Sequence, residues 1–314
     1  MQRLSSQEYA IGGNVMTHAS EDNLLKGTLK YDEPMSRHTS WHVGGPADRF
    51  YVPEDVEDLC RFLSLLPEQE SLTWIGLGSN VLVRDGGIRG TVVCVKNVLD
   101  ELTVIVPGKL KVGAGLPCVK VARFASTSGL AGADFLAGIP GTMGGALAMN
   151  AGAFGGETWD IVVCVETVNR RGIRFVRDKS DYQIGYRSVE PHREEWFISA
   201  ELSLAEGRND AGENNIRELL ARRAETQPMG VSSCGSVFRN PEGDYAARLI
   251  EASGLKGEQV GMACVSMKHA NFIINTGGAS AGEIEQLIGR VRETVQAKQG
   301  VLLKEEVRII GEKT

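Results

Sequence analysis

The sequence contains no CxxC pair, no dense block of lysine and arginine, and only five histidines in 314 residues. Its six scattered cysteines, of which Cys94 and Cys164 lie inside apolar strand-like runs, read as reduced, mostly buried thiols. Disulfides and a metal centre are not expected. A formal net charge of -6 without a basic patch lacks the electrostatic footprint of a nucleic-acid binder. No run approaches the ~20 apolar residues that span a bilayer, and the N-terminal stretch has no apolar signal-type segment. A cytoplasmic location is expected, with no membrane contact and no obligate protein partner.

The common nucleotide signatures are missing as well. No GxxxxGK[ST] occurs, and Gly76-Leu77-Gly78-Ser79-Asn80 has Val81 where a dinucleotide fingerprint needs its third glycine. That segment also leads from one apolar run into another, so it predicts strand-turn-strand rather than strand-turn-helix. Ser236 is not framed by GxSxG, which with so few histidines leaves a Ser-His-Asp hydrolase without support.

What the chain has in excess is glycine, 38 residues in 314 against a usual ~7%. Glycine costs backbone entropy, so the excess points to positive φ or to close approach of backbone to a ligand such as phosphate. The stretch from Gly132 to Glu157 is the densest. It is too glycine-rich for a regular helix and too apolar for a flexible linker, and predicts a tightly folded loop.

The pattern of short β-type runs, glycine turns and separate helices predicts an α+β chain in three parts. Residues 1–30 are a polar extension, 31–205 a first region with an internal boundary near 106, and 206–314 a C-terminal domain. Hairpins are expected around Pro107-Gly108 and Arg171-Gly172, a helix from Leu116 to Ser128 closed by Gly129, and a linker over 206–215. Ser280 to Glu283 is a capping box opening a helix with Ile284, Leu287, Ile288, Val291 and Val295 on one face.

Two glycine-rich turns are candidates for gripping a diphosphate through backbone N–H groups. The first is Gly76, Leu77, Gly78, Ser79, Asn80 and Val81; the second is Gly138, Ile139, Pro140, Gly141, Thr142, Gly144 and Gly145, continued by Asn150, Ala151 and Gly152. Each taken alone reads equally as a hairpin turn or as tight packing. Arg187 in SDYQIGYRS would suit a substrate carboxylate through its planar fork, with Tyr186 beside it; an exposed surface arginine is the competing reading. Ser236 follows a run of small residues. Of Glu305 and Glu306, one is expected to face solvent and the other to turn inward. His269 reads as a pocket-lining or structural residue.

WHVGGPAD, GLGSNVLVRDGG, AGIPGTMGGALAMNAGAFGGE, YRS, SCGSVFRNP and EEVRIIG occur in this order. Together they resemble the UDP-N-acetylenolpyruvoylglucosamine reductase family from about residue 28 to the C-terminus. The resemblance implies an FAD-linked-oxidase-like fold: a two-part FAD-binding region followed by an α+β substrate-binding domain. It implies that NADPH reduces FAD, which reduces the enolpyruvyl ether of a UDP-linked amino sugar to give UDP-N-acetylmuramate for peptidoglycan. It assigns Ser236 as proton donor, Arg187 and Glu306 as its catalytic companions, and Tyr186, Asn240 and His269 as substrate contacts. The tyrosine-bearing insertion of the family's longer subtype is not evident. Another FAD-linked oxidoreductase, or a nucleotide-binding protein without catalysis, are the alternatives.

Overall fold

The computed structural model describes residues 25–190, 192, 194–207 and 209–314. The first lobe holds β1 (Thr28–Pro34), β2 (Pro46–Val52), α1 (Val56–Leu65), β3 (Leu72–Ile75), β4 (Val81–Val83) and β5 (Ile88–Cys94). Its four-stranded sheet has the order β1-β2-β5-β3, with β5 parallel to both neighbours and β1 antiparallel to β2. β1 begins inside the stretch expected to be an extension. α1 starts where Asp55 accepts from the Asp58 N–H, and it buries Leu59, Phe62 and Leu63.

Asp58 locks this lobe together. Its carboxylate, 1% exposed, accepts the backbone N–H groups of Lys26, Gly27 and Glu54 and the hydroxyl of Tyr51. The chain leading into β1 is thereby tied to α1.

The second lobe is built on antiparallel hairpins: β6 (Leu102–Val106) with β7 (Lys109–Gly113), and β11 (Val162–Asn169) with β12 (Arg174–Asp178). With β15 (Glu195–Ser203) they form a five-stranded sheet of order β12-β11-β15-β7-β6. α2 (Cys118–Thr127) ends at Ser128, and Gly129 follows with φ 70°. The minor pairs are β8 (Leu130–Ala131) with β16 (Ala205–Glu206), β9 (Gly152–Ala153) with β10 (Gly156–Glu157), and β13 (Gln183–Gly185) with β14 (Ser188–Glu190).

Two expectations are corrected here. The glycine stretch does contain a helix, α3 (Met143–Met149), capped by Thr142 and stopped by left-handed Asn150. Burial of Met143, Ala146 and Leu147 outweighs the propensity cost of its glycines. The expected linker runs into α4 (Asn209–Thr226), where Ile216 is buried in the second lobe's core and Leu220 packs against it.

The C-terminal part holds α5 (Ala246–Ala252), β17 (Gln259–Val260), β18 (Ala263–Val265), β19 (Ile273–Asn275), α6 (Ala281–Gln299) and β20 (Arg308–Ile310). The Ser280–Glu283 capping box forms as expected, and α6 buries the five predicted apolar residues. β20 returns to the first lobe and pairs parallel with β4. Trp41 and Leu82 of the first lobe lie in the C-terminal core, and the Trp41 indole N–H donates to the Ile273 carbonyl. Among the described residues no helix is long and apolar enough to cross a membrane, and no cluster has the make-up of a metal site.

Asp58→Ala is expected to destabilise the protein by about 2–3 kcal/mol, because several buried donors lose their acceptor at once. Burial alone would raise the Asp58 pKa, but the Tyr51 hydroxyl and the backbone N–H groups hold it below the ordinary value. The folded pKa is thus the lower one. The stabilisation is complete above the unfolded value of about 4 and is lost as pH falls through the folded one. Chemical denaturation from pH 3 to 7 tests this: the gap between wild type and variant must shrink at the acid end.

Candidate active site

The first glycine turn connects strands of different sheets, β3 and β4. Among the described residues, no backbone N–H from Gly76 to Asn80 donates to a protein acceptor, although the turn is half-buried or buried. Such a row of unpaired donors requires a partner, and an anion is the natural one. Gly78 has φ 61°, and a Cβ there would fall 2.0 Å from the His38 carbonyl oxygen. In the second turn, the N–H groups of Gly141 and Thr142 are likewise without a protein acceptor.

The turns sit against one another: a Cβ on Gly76 would meet the Thr142 hydroxyl at 2.4 Å, and one on Gly141 the Ser79 hydroxyl at 3.5 Å. Gly76, Leu77, Ser79 and Pro140 line one cavity of about 360 Å³, together with Ser233, Gly235 and Phe272 of the C-terminal part. A larger groove of about 680 Å³ runs along α6, but its Arg84, Glu285, Arg292 and Glu305 are already paired with one another. Size does not identify the site here.

The remaining residues of the two turns have other tasks. Gly138 abuts Ala153 and Phe154, Gly144 abuts Ala114, and Gly145 donates to the Thr142 hydroxyl. Ile139 and Ala151 are buried in the second lobe's core. Val81 belongs to β4, and its carbonyl accepts from the Cys234 thiol. The Asn150 side chain donates to Glu157 and to the Gly185 carbonyl, and accepts from the Trp159 N–H.

Arg187 and Glu306 pair with one another, and neither is among the residues that line this cavity. Tyr186 and Arg187 form the two-residue turn between β13 and β14, and Arg187 has φ 52°. A left-handed arginine costs about 1 kcal/mol or more, and strain of this kind collects at functional sites. The Arg187 guanidinium donates to the carbonyls of Asn150 and Gly152, and it lies over the exposed Tyr186 ring at 5.3 Å. Its Nε is 3.2 Å from a Glu306 oxygen, but the N–H is misaligned and remains without a hydrogen bond.

Asn80 links the glycine turn to the carboxylate by donating to the Glu306 carbonyl. The Ser236 segment lies alongside: the Glu306 N–H donates to the Val237 carbonyl at 2.8 Å. Half-buried Ser236 follows Gly235, which has φ 69°. Buried Asn271, which carried no sequence signal, pins this segment by bonding both backbone groups of Phe238. Arg239, also unsignalled, leaves its Nε buried and unbonded. Burial raises the Glu306 pKa above its ordinary value, while the nearby charges of Arg187 and Arg239 pull it back. Glu305 pairs with Arg292 on the outside, as the expected division of the two glutamates requires.

The other expected contacts lie further out. Asn240 is exposed and its side chain accepts the Ala246 N–H at the start of α5. His269 packs its ring against Phe272, which lines the cavity. Burial lowers its pKa, so the imidazole is neutral.

Comparison with known proteins first defines the class. Residues 47–176 match the family model described as FAD binding domain. The fold resembles 6-hydroxy-D-nicotine oxidase from Arthrobacter nicotinovorans, with TM-score 0.54 and 12% identity over 89% of this chain and 87% of that one. This is an FAD-linked-oxidase-like α+β fold, as expected, and the unpaired donors of its glycine turns fit FAD.

Residues 227–310 match the C-terminal domain model of UDP-N-acetylenolpyruvoylglucosamine reductase. A reductase of that name from Methylococcus capsulatus is 58% identical over 91% of this chain and 94% of its own length. Another from Alkalilimnicola ehrlichii is 54% identical over 94% and 98%. The crystal structure of the Thermus caldophilus enzyme superposes with TM-score 0.78 at 30% identity, covering 91% of this chain and 99% of that one. The chain belongs to the UDP-N-acetylenolpyruvoylglucosamine reductase family.

Since Arg187 opposes the rise in the Glu306 pKa, Arg187→Ala should move the Glu306 titration to higher pH. Carbon-13 NMR of glutamate-labelled protein, assigned with Glu306→Gln, measures it. A titration that stays in place would show the pair to be uncoupled.

Proposed function

We propose that this chain is the FAD-containing, NADPH-dependent oxidoreductase that reduces UDP-N-acetylenolpyruvoylglucosamine to UDP-N-acetylmuramate, a peptidoglycan precursor. The observation that carries this reading is the convergence of Arg187, Glu306 and the Ser236 segment, which Asn80 ties to the first glycine turn and whose neighbour Gly235 lines the cavity of both turns. Bound FAD supplies the two-electron chemistry, accepting hydride from NADPH and delivering it to the substrate's carbon-carbon double bond. The substrate and the reductant place the enzyme in the cytoplasm.

The protein's task is to manage charge. As hydride adds to the terminal carbon of the enolpyruvyl group, negative charge spreads into the adjoining carboxylate. The Arg187 guanidinium stabilises that charge where it develops. Burial favours the protonated form of the Glu306 carboxyl, which in that form donates a hydrogen bond to the same oxygens. The Ser236 hydroxyl then gives its proton to the neighbouring carbon, completing the net addition of one hydride and one proton. A serine is a weak acid, so it serves only against a strongly basic carbanion and only within hydrogen-bond reach.

The domain division follows the packing. We place residues 28–226 in the flavin-holding part, because α4 packs on its second lobe, and 227–314 in the substrate part.

Ser236→Ala is expected to keep the fold, the FAD content and reduction by NADPH. Reoxidation of the reduced flavin by substrate should slow by at least roughly a hundredfold, the usual scale of general acid catalysis. Stopped-flow absorbance separates the two half-reactions. A near-wild-type reoxidation rate would remove Ser236 from the proton-donor role. Arg187→Ala should likewise depress the substrate half-reaction far more than the NADPH one, and equal loss in both would place Arg187 elsewhere.

A further inference from the structure

Arg239 stands three residues after Ser236, and the charge chemistry described above assigns it no task. Its segment runs antiparallel to the end of the chain, with Phe238 bridged to Glu305. The Arg239 N–H donates to the Lys304 carbonyl, and the Glu306 N–H donates to the Val237 carbonyl. In such a pairing, directly opposite residues share a face and successive residues alternate between faces. Phe238 and Glu305 take one face, and Val237, Arg239, Lys304 and Glu306 take the other. Arg239 is thus the diagonal neighbour of Glu306, within the reach of a long side chain. Its charge is felt there, for it helps to hold down the Glu306 pKa.

Nothing within the described residues balances this cation. Half-buried Arg239 leaves its Nε buried and without a hydrogen bond. The carboxyl groups across the pairing are committed elsewhere, Glu305 to Arg292 and Glu306 to Arg187. Lys304, directly opposite, is a second positive charge rather than a partner. An unpaired buried donor beside a like charge is costly to keep. Arginines with a structural task here spend the Nε on a carboxylate, as Arg84 does on Glu285 and Arg177 on Glu195. Two guanidinium groups from different elements therefore act on one carboxyl, Arg187 from the β13–β14 hairpin and Arg239 from the Ser236 segment. A bound anion of single charge redresses that balance, and a carboxylate offers two oxygens to two guanidinium forks.

We propose that Arg239 is the second cation of the substrate-carboxylate site, binding the enolpyruvyl carboxylate from the Ser236 segment while Arg187 binds it from the hairpin. This rests on the proposed function. It makes Arg239 a substrate-binding residue, with no part in delivering the proton.

The test uses the flavin-loaded full chain and two ligands, with the change in flavin absorbance reading their binding. UDP-N-acetylmuramate carries the carboxylate; UDP-N-acetylglucosamine has the same diphosphate and no carboxylate. Arg239→Gln should weaken binding of the first by about tenfold or more and of the second by less than about twofold. Arg239→Lys keeps the charge but loses the fork, and should recover part of the loss. FAD content and melting temperature should stay at their wild-type values. Equal weakening of both ligands would assign Arg239 to the diphosphate and overturn the proposal. Unchanged affinity for both would overturn it too, and a lowered melting temperature with an unchanged ratio of affinities would make Arg239 structural. A wild-type protein that binds the two ligands equally well would refute the carboxylate site as a whole, Arg187 included, which is a separate result. Should the glutamine variant fail to fold, the lysine variant decides: a ratio of affinities equal to that of wild type would count against the proposal.

Discussion

The parallel pairing of β20 with β4 is the contact on which the site depends. Three residues at the end of the chain align with three from the first lobe, Arg308 to Ile310 with Val81 to Val83. The Arg308 N–H donates to the Asn80 carbonyl, and the Asn80 side chain donates to the Glu306 carbonyl. The glycine turn and the buried carboxylate thus share a register, and a one-residue slip in this pairing would turn every side chain of β20 to the opposite face. The Ser236 segment is fixed to the same strand by its own backbone bonds, with Phe238 paired to Glu305. The first glycine turn and the Ser236 segment are brought together by main chain rather than by long side chains.

Electrostatics completes what the backbone begins. Burial pushes the Glu306 carboxyl toward its neutral form, and the two nearby arginines oppose this without cancelling it. The cluster consequently carries excess positive charge, which suits an anionic substrate in a protein whose net charge is -6. Ions elsewhere are matched within the protein: Arg84 pairs with Glu285 and Arg177 with Glu195, each as a two-pronged contact. Unpaired donors include those of Arg187, Arg239 and the first glycine turn, where ligands are expected.

Much of this was legible in the sequence, and the exceptions have physical causes. Turns announced by Pro107-Gly108 and Arg171-Gly172, the cap at Ser280 and the apolar face of α6 depend on neighbours a few residues apart, so local patterns revealed them. Helix α3 was missed because its glycines argue against it locally, while the burial that stabilises it comes from distant strands. The first residues of α4 were read as a linker because they are highly polar, whereas Ile216 and Leu220, which pack against the second lobe, lie beyond that stretch. Asn271 and Arg239 acquire significance only from pairings across more than thirty residues or from a buried atom lacking a partner.

The left-handed backbone of Arg187 shows why a site can exceed what its motif conveys. Glycine would fill that turn position with less strain, yet glycine has no guanidinium to reach Glu306. The conformation is held by contacts from three directions: the Asn150 and Gly152 carbonyls on the guanidinium, the Tyr186 ring beneath it, and the Asn150 side chain bonded to Gly185 at the base of the hairpin. Asn150 is itself left-handed and ends α3, so the helix that the glycine content argued against delivers the residue that secures the turn. The second glycine-rich segment therefore acts twice. Its first part walls the cavity at Pro140, and its last part fixes the arginine that pairs with Glu306. Strain at Arg187 is borne by the packing of α3, which makes the chemistry of the site depend on a core that never touches a ligand.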